Sequence, residues 1–197
     1  MLKAPKTQRV LPPEGTHIAR CVRIIHIGTI AEEYMGEMKD MNKVDLTFEL
    51  VDETFVFKDG EDAKPFVVSK EYTLSMGEKA NLRKLVEGII GKSMVQGEAD
   101  MFDIESLLNK PCLINIKYKE SKAGNKRAEI ATASPLMKGQ VATEPFNHPA
   151  LLTYENWNEE YFNSLPSFLK EKIIGSAEYK TMKGITGEIN PDEVPFE

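Results

Sequence analysis

Cysteine and histidine are scarce in this chain, with two and three respectively among 197 residues. Cys21 and Cys112 sit in separate apolar runs, which offers neither a disulfide framework nor a thiolate metal site, so each reads as a small hydrophobe. His17, His26 and His148 share no ligand spacing with one another or with the cysteines, and no metal is expected. There is no run of about 18 apolar residues to cross a bilayer. The opening MLKAPKTQRVLPPEG lacks the apolar stretch of a secretory signal. Also missing are GxSxG, Walker A, HExxH and GxGxxG patterns, and acids paired at two-metal spacing. Gly88, Gly91 and Lys92 fall at a helix end and lack the spacing of a phosphate loop. These absences predict a non-enzymatic protein with no cofactor, at home in a reducing cytoplasm.

What is present is an ordinary globular composition, 41% apolar and 28% charged, in a length that suits one domain with a smaller appendage. The net charge of −6 hides a segregation. Lys110, Lys117, Lys119, Lys122, Lys126 and Arg127 face the single acid Glu120, whereas residues 184–197 hold four acids and no base.

Residues 1–15 read as a flexible basic arm. THIARCVRIIHIG predicts a first strand ending at Gly28, followed by a polar loop over 29–42. KVDLTFEL alternates, with Val44, Leu46, Phe48 and Leu50 inward and Lys43, Asp45, Thr47 and Glu49 on a wet face. FVVSKEYTL is a third strand, with Phe66, Val68, Lys70, Tyr72 and Leu74 on one side. Ser75 and Glu78 suggest a capping box opening a helix that carries Leu82, Leu85, Val86 and Ile89 and stops near Gly91. A second short helix is expected from Asp103 to just before Pro111. CLINIKYKE and RAEIATAS then form a hairpin across the turn SKAGNK.

Five strands with a helical insertion between the third and fourth is the order of an OB-fold barrel, a mainly β class, although other small barrels and α+β sheets share the pattern. The domain reading is an arm at 1–15, the OB-fold at 16–140, a helical appendage at 141–183 split by Pro166, and an acidic tail at 184–197. In such a barrel the fourth and fifth strands flank a groove for single strands. Lys117, Lys119, Lys122, Lys126 and Arg127 would neutralise phosphates there, joined by Lys43, Arg20 and Arg23. Tyr34, Phe66 and Tyr72 are candidate base-stacking rings, while Tyr118, in phase with aliphatic residues, reads more simply as core.

The stretches PPEGTHIARCVRIIHIGT, KVDLTFELVDE, SKEYTLSMGEKANLRKLVEGIIGK, FDIESLLNKPCLINIKYK and AEIATASPLMKG resemble the OB-fold single-stranded-DNA-binding proteins of bacteriophage and prophage replication modules. FNSLPSFLKEKIIGSAEYK is similar to the helical segment that follows in such proteins. The resemblance implies a protein of the bacterial host cytoplasm that coats single-stranded DNA during phage replication or recombination. The terminus is similar to the acidic tip of bacterial single-stranded-DNA-binding proteins, which implies that Asp192, Glu193, Val194, Pro195 and Phe196 dock replication or recombination partners. Here Glu197 follows the Phe that closes that tip. A non-enzymatic adaptor of the phage replication machinery is the alternative, with the lysines serving solubility. Oligomer formation stays open, through strand edges or exchange of the 145–183 segment.

Overall fold

Strand-forming residues dominate the first two thirds of the chain, and they assemble in the computed structural model, which describes residues 10–120 and 124–185, into an open antiparallel sheet of six strands. The strands are β1 (Gly15–Tyr34), β2 (Glu37–Phe55), β3 (Lys64–Thr73), β4 (Pro111–Glu120), β5 (Lys126–Ser134) and β6 (Ala150–Leu152). Five lie in the order β3-β2-β1-β4-β5, and β6 pairs with β1. The hydrogen-bonded path ends at β3 and β5 and does not close on itself. The helices are α1 (Asn81–Ile90), α2 (Gln96–Asp100), α3 (Glu159–Ser164), α4 (Ser167–Gly175) and α5 (Ala177–Met182), with a 3-10 turn at Ile104–Leu107. The protein is mainly β, with α1 and α2 falling between β3 and β4 in the chain.

Two compact units emerge. One comprises the described residues up to Ile25 together with Val44–Leu151; the other comprises His26–Lys43 and the described residues from Leu152 onward. In the first, the apolar residues of β2 meet Ala19, Cys21, Cys112, Ile114, Ile116, Ile130 and the inner face of α1. Both thiols are fully buried, and burial pushes each up to about 12, so they pack as small apolar groups. In the second, α3 to α5 bury Phe162, Leu169 and Ile173. Tyr154 donates its hydroxyl to the Ile27 carbonyl at 2.8 Å and stacks on Trp157. Glu178 accepts from the amide and hydroxyl of Thr29.

Several local expectations change. Residues 29–42 are not a loop: β1 and β2 continue to a tight turn at Met35 and Gly36, both at positive φ, as two-residue hairpins require. The Ser75–Glu78 box does not form. A turn closed by the Ala80 amide on the Gly77 carbonyl comes first, and α1 starts at Asn81. The helix expected from Asp103 is only the 3-10 turn, capped by the Asp103 side chain. The C-terminal segment makes three helices, not two, because the Ser176 hydroxyl caps α5 one residue beyond α4.

The polar row of β2 is the largest departure. Asp45, Thr47 and Glu49 are buried like their apolar neighbours, at 5%, 4% and 1% exposure. Each is satisfied by hydrogen bonds, which is what makes its burial tolerable.

Gly88 of α1 lies against the Ala133 carbonyl of β5, and a Cβ there would come within 2.5 Å of that oxygen. Gly88→Ala therefore sets a helix-propensity gain of about 1 kcal/mol against displacement of α1 from the sheet. Overpacking of this kind costs about 1–3 kcal/mol. Urea unfolding should show a net loss of stability; a variant equal to or firmer than the wild type would show that α1 shifts freely.

Candidate nucleic-acid interface

The β4–β5 register sets the geometry of the basic cluster. Lys117 lies opposite Glu129 and Lys119 opposite Arg127, and directly paired residues share a face of a sheet. Ile116 and Ile130 belong to the core, so the lysines' face is the outer one. On that face Asn115 donates to the Thr16 hydroxyl of β1 at 3.0 Å. Arg20, four residues further along β1, points the same way. Cys21 and Ile24, three apart, both reach the core, so the alternation of β1 breaks between them and Arg23 also faces outward. Asp45, Thr47 and Glu49 continue this outer face on β2, alternating with its core residues.

A shallow cavity of about 360 Å3 opens beside the hairpin, lined by Lys70, Lys117, Tyr118, Lys119, Glu129 and Ile130. The Lys70 ammonium donates to the Ile130 carbonyl at 2.8 Å and sits 3.3 Å from Glu129; Lys119 is 3.5 Å from the same carboxylate. Burial alone would raise the Glu129 pKa, but the charge and hydrogen bond of Lys70, then Lys119 and Arg127, hold it below the ordinary carboxylate range. The cavity therefore carries fixed positive charge around one ionised acid.

The structure brings together only part of the expected set. Lys117, Lys119 and Arg127 share the outer face, whereas Lys126 pairs with Glu120 on the opposite face of the hairpin. Phe66 and Tyr72 are core side chains, at 6% and 5% exposure, which corrects their reading as stacking platforms. Burial pushes the Tyr72 hydroxyl well above its ordinary range. Arg20 is not a free cation either: it donates to the carbonyls of Asn109, Ala142 and Thr143 at 2.8–3.0 Å. Arg23 is bound to Asp45 at 3.1 Å. Both arginines answer the chain's own acceptors, and each is corrected as an open phosphate contact.

Tyr34 and Lys43 belong to the second unit. Tyr34 is exposed at the hairpin turn, with the Lys39 ammonium 5.5 Å over its ring. Lys43, expected as a phosphate ligand, is largely covered and held by Glu32 at 2.6 Å. Tyr118 is half-buried and donates to the Pro12 carbonyl. Lys122 and the tail residues Asp192, Glu193, Val194, Pro195 and Phe196 lie outside the described residues.

Sequence reasoning missed Glu129, Lys70 and the exposed rings Phe55 and Phe57, which pack edgewise together at 5.4 Å. The signal for Glu129 was its place two residues past Arg127 in an alternating strand. For Lys70 it was a cation in phase with Phe66, Val68 and Tyr72. Among the described residues no three His, Cys, Asp or Glu side chains gather to hold a metal, and no helix is long and apolar enough to cross a membrane. Comparison with protein-family models, with curated proteins and with solved structures found no match.

The pinned carboxylate has a pH signature. A folded-state pKa below the unfolded one gives stability that is present above the unfolded value and disappears as pH falls through the folded one. Glu129→Gln should therefore unfold at lower urea than wild type at pH 7. The gap should close in acid, below the ordinary carboxylate range. A gap that persists unchanged at low pH would mean that the ion pairs with Lys70 and Lys119 do not hold this acid.

Proposed function

We propose that this chain binds single-stranded DNA without reading its sequence, and that it does so in phage DNA replication or recombination. The observation that carries this reading is the shared face of Lys117, Lys119 and Arg127 beside an open cavity, a track of cations set by strand register. Phosphate neutralisation of this kind dominates non-specific affinity. The strand path β3-β2-β1-β4-β5, with α1 between β3 and β4, supports an OB-fold reading. Lys70, reaching from β3 to the Ile130 carbonyl of β5, would tie the two ends of the path as such a barrel needs. Bases would stack on exposed rings, for which Phe55 and Phe57 are better placed than the buried Phe66. The acidic tail would dock replication proteins.

The adaptor reading keeps one specific support: Glu129 already occupies part of the positive charge, and two expected stacking rings are in the core. Oligonucleotide binding separates the two readings. Fluorescence anisotropy of labelled oligo-dT should give an affinity that drops about a thousandfold or more between low and physiological salt if some six phosphates are neutralised. Lys117→Gln with Arg127→Gln should weaken binding and flatten the log–log salt slope by about two. Oligo-dC should bind within a few-fold of oligo-dT. A flat salt response, or no binding by folded protein, would move the adaptor to first place.

A further inference from the structure

Residues 135–149 form neither helix nor strand, and a span of that length in a packed unit is commonly functional. Its middle meets the outer face of the sheet through two clasps. Arg20 of β1 donates to the Thr143 carbonyl at 2.8 Å and the Ala142 carbonyl at 3.0 Å. Glu49 of β2 accepts from the amides of Phe146 and Asn147 at 2.7 and 2.8 Å, and from the Asn147 side chain at 2.6 Å. Apolar anchorage is slight. Ala142 is the one buried residue between positions 136 and 149, while Val141 and Phe146 are exposed at 78% and 61%. A segment held by a few polar contacts and little packing sits at the low end of local stability.

The clasped residues share a face with the cation track, since Arg20 and Asn115 point the same way as Lys117 and Lys119. Nearby, the Arg23 Nε is buried without a hydrogen-bond partner among the described residues. We propose that residues 142–147 are an autoinhibitory strap, which a nucleic-acid strand displaces from the outer face as Arg20 exchanges two carbonyls for phosphate oxygens. The idea rests on the nucleic-acid reading of this face. For Arg20 the exchange replaces two neutral carbonyls and the exposed Glu144 carboxylate at 3.5 Å by phosphate oxygens, to which its bonds are charge-assisted. Glu49 opposes it, since lifting the strap strips the carboxylate of three donors and turns it towards phosphates. The closed form therefore prevails without ligand, and apparent affinity is reduced by the fraction that is open.

Hydrogen exchange on the full-length chain reads the strap directly, through the amides of Phe146 and Asn147, with and without saturating oligo-dT. The proposal expects protection in the free protein and its loss on binding. Asn147→Ala provides a second readout at an exposed position that leaves the sheet intact. It removes one clasp bond, worth about five- to tenfold in the opening equilibrium, and should tighten oligo-dT binding by a similar factor. Saturated binding with 146 and 147 still protected, or an Asn147→Ala affinity equal to wild type, overturns the strap alone. Absence of any oligo-dT binding by folded wild type overturns the DNA reading and the strap with it.

Discussion

A carboxyl group at 1% exposure needs hydrogen-bond donors, and Glu49 is in that position in the middle of β2. Its oxygens take two backbone amides and a side-chain amide from residues 146 and 147, which no local element could supply. That requirement explains why the chain, after β5, runs back over the outer face of the sheet before forming β6. It also explains why β2 is buried on both sides between Val44 and Leu50. The neighbours follow the same rule: Asp45 takes Arg23, and the Thr47 hydroxyl shares a hydrogen bond with Ser69. Burial still raises the Asp45 pKa despite the guanidinium beside it.

Arg20 completes the arrangement from the other strand. A guanidinium presents five donors in a fixed fork and rarely tolerates leaving them empty in a covered site. Here irregular backbone supplies the acceptors, at Asn109 on one side and at Ala142 and Thr143 on the other. Arg20 and Glu49 thus hold the same segment by opposite groups, two carbonyls and the Glu144 carboxylate on Arg20 and amides on Glu49. The contact is built from polar chemistry on the face that also carries Lys117 of β4.

The inner half of the sheet was legible because alternation is local. Val44, Leu46, Phe48 and Leu50 announced their face, as did Cys112, Ile114 and Ile116. The outer half was not, because its polar residues look the same whether water or another stretch of chain answers them. Thr47 and Glu49 read as wet for that reason. The sequence allows Phe66 and Tyr72 two uses, and their phase with Val68 favours the core. The break in β1 between Cys21 and Ile24 left no mark in composition, yet it decides which way Arg23 faces. Glu129 lies just past the basic run that ends at Arg127, and only strand pairing sets it opposite Lys117.

The position of Glu129 constrains what kind of binding this face can perform. A field of lysines alone would attract any polyanion and hold it loosely. One acid between Lys70 and Lys119 pairs with those ammonium groups and leaves Lys117 and Arg127 with no ion pair among the described residues. Their spacing is set by the hairpin register and not by flexible loops. On the nucleic-acid reading this face would offer cations to phosphates, and charge contacts carry no sequence information. Any nucleic acid held here would be discriminated by strandedness and backbone path, and the identity of its bases would matter little.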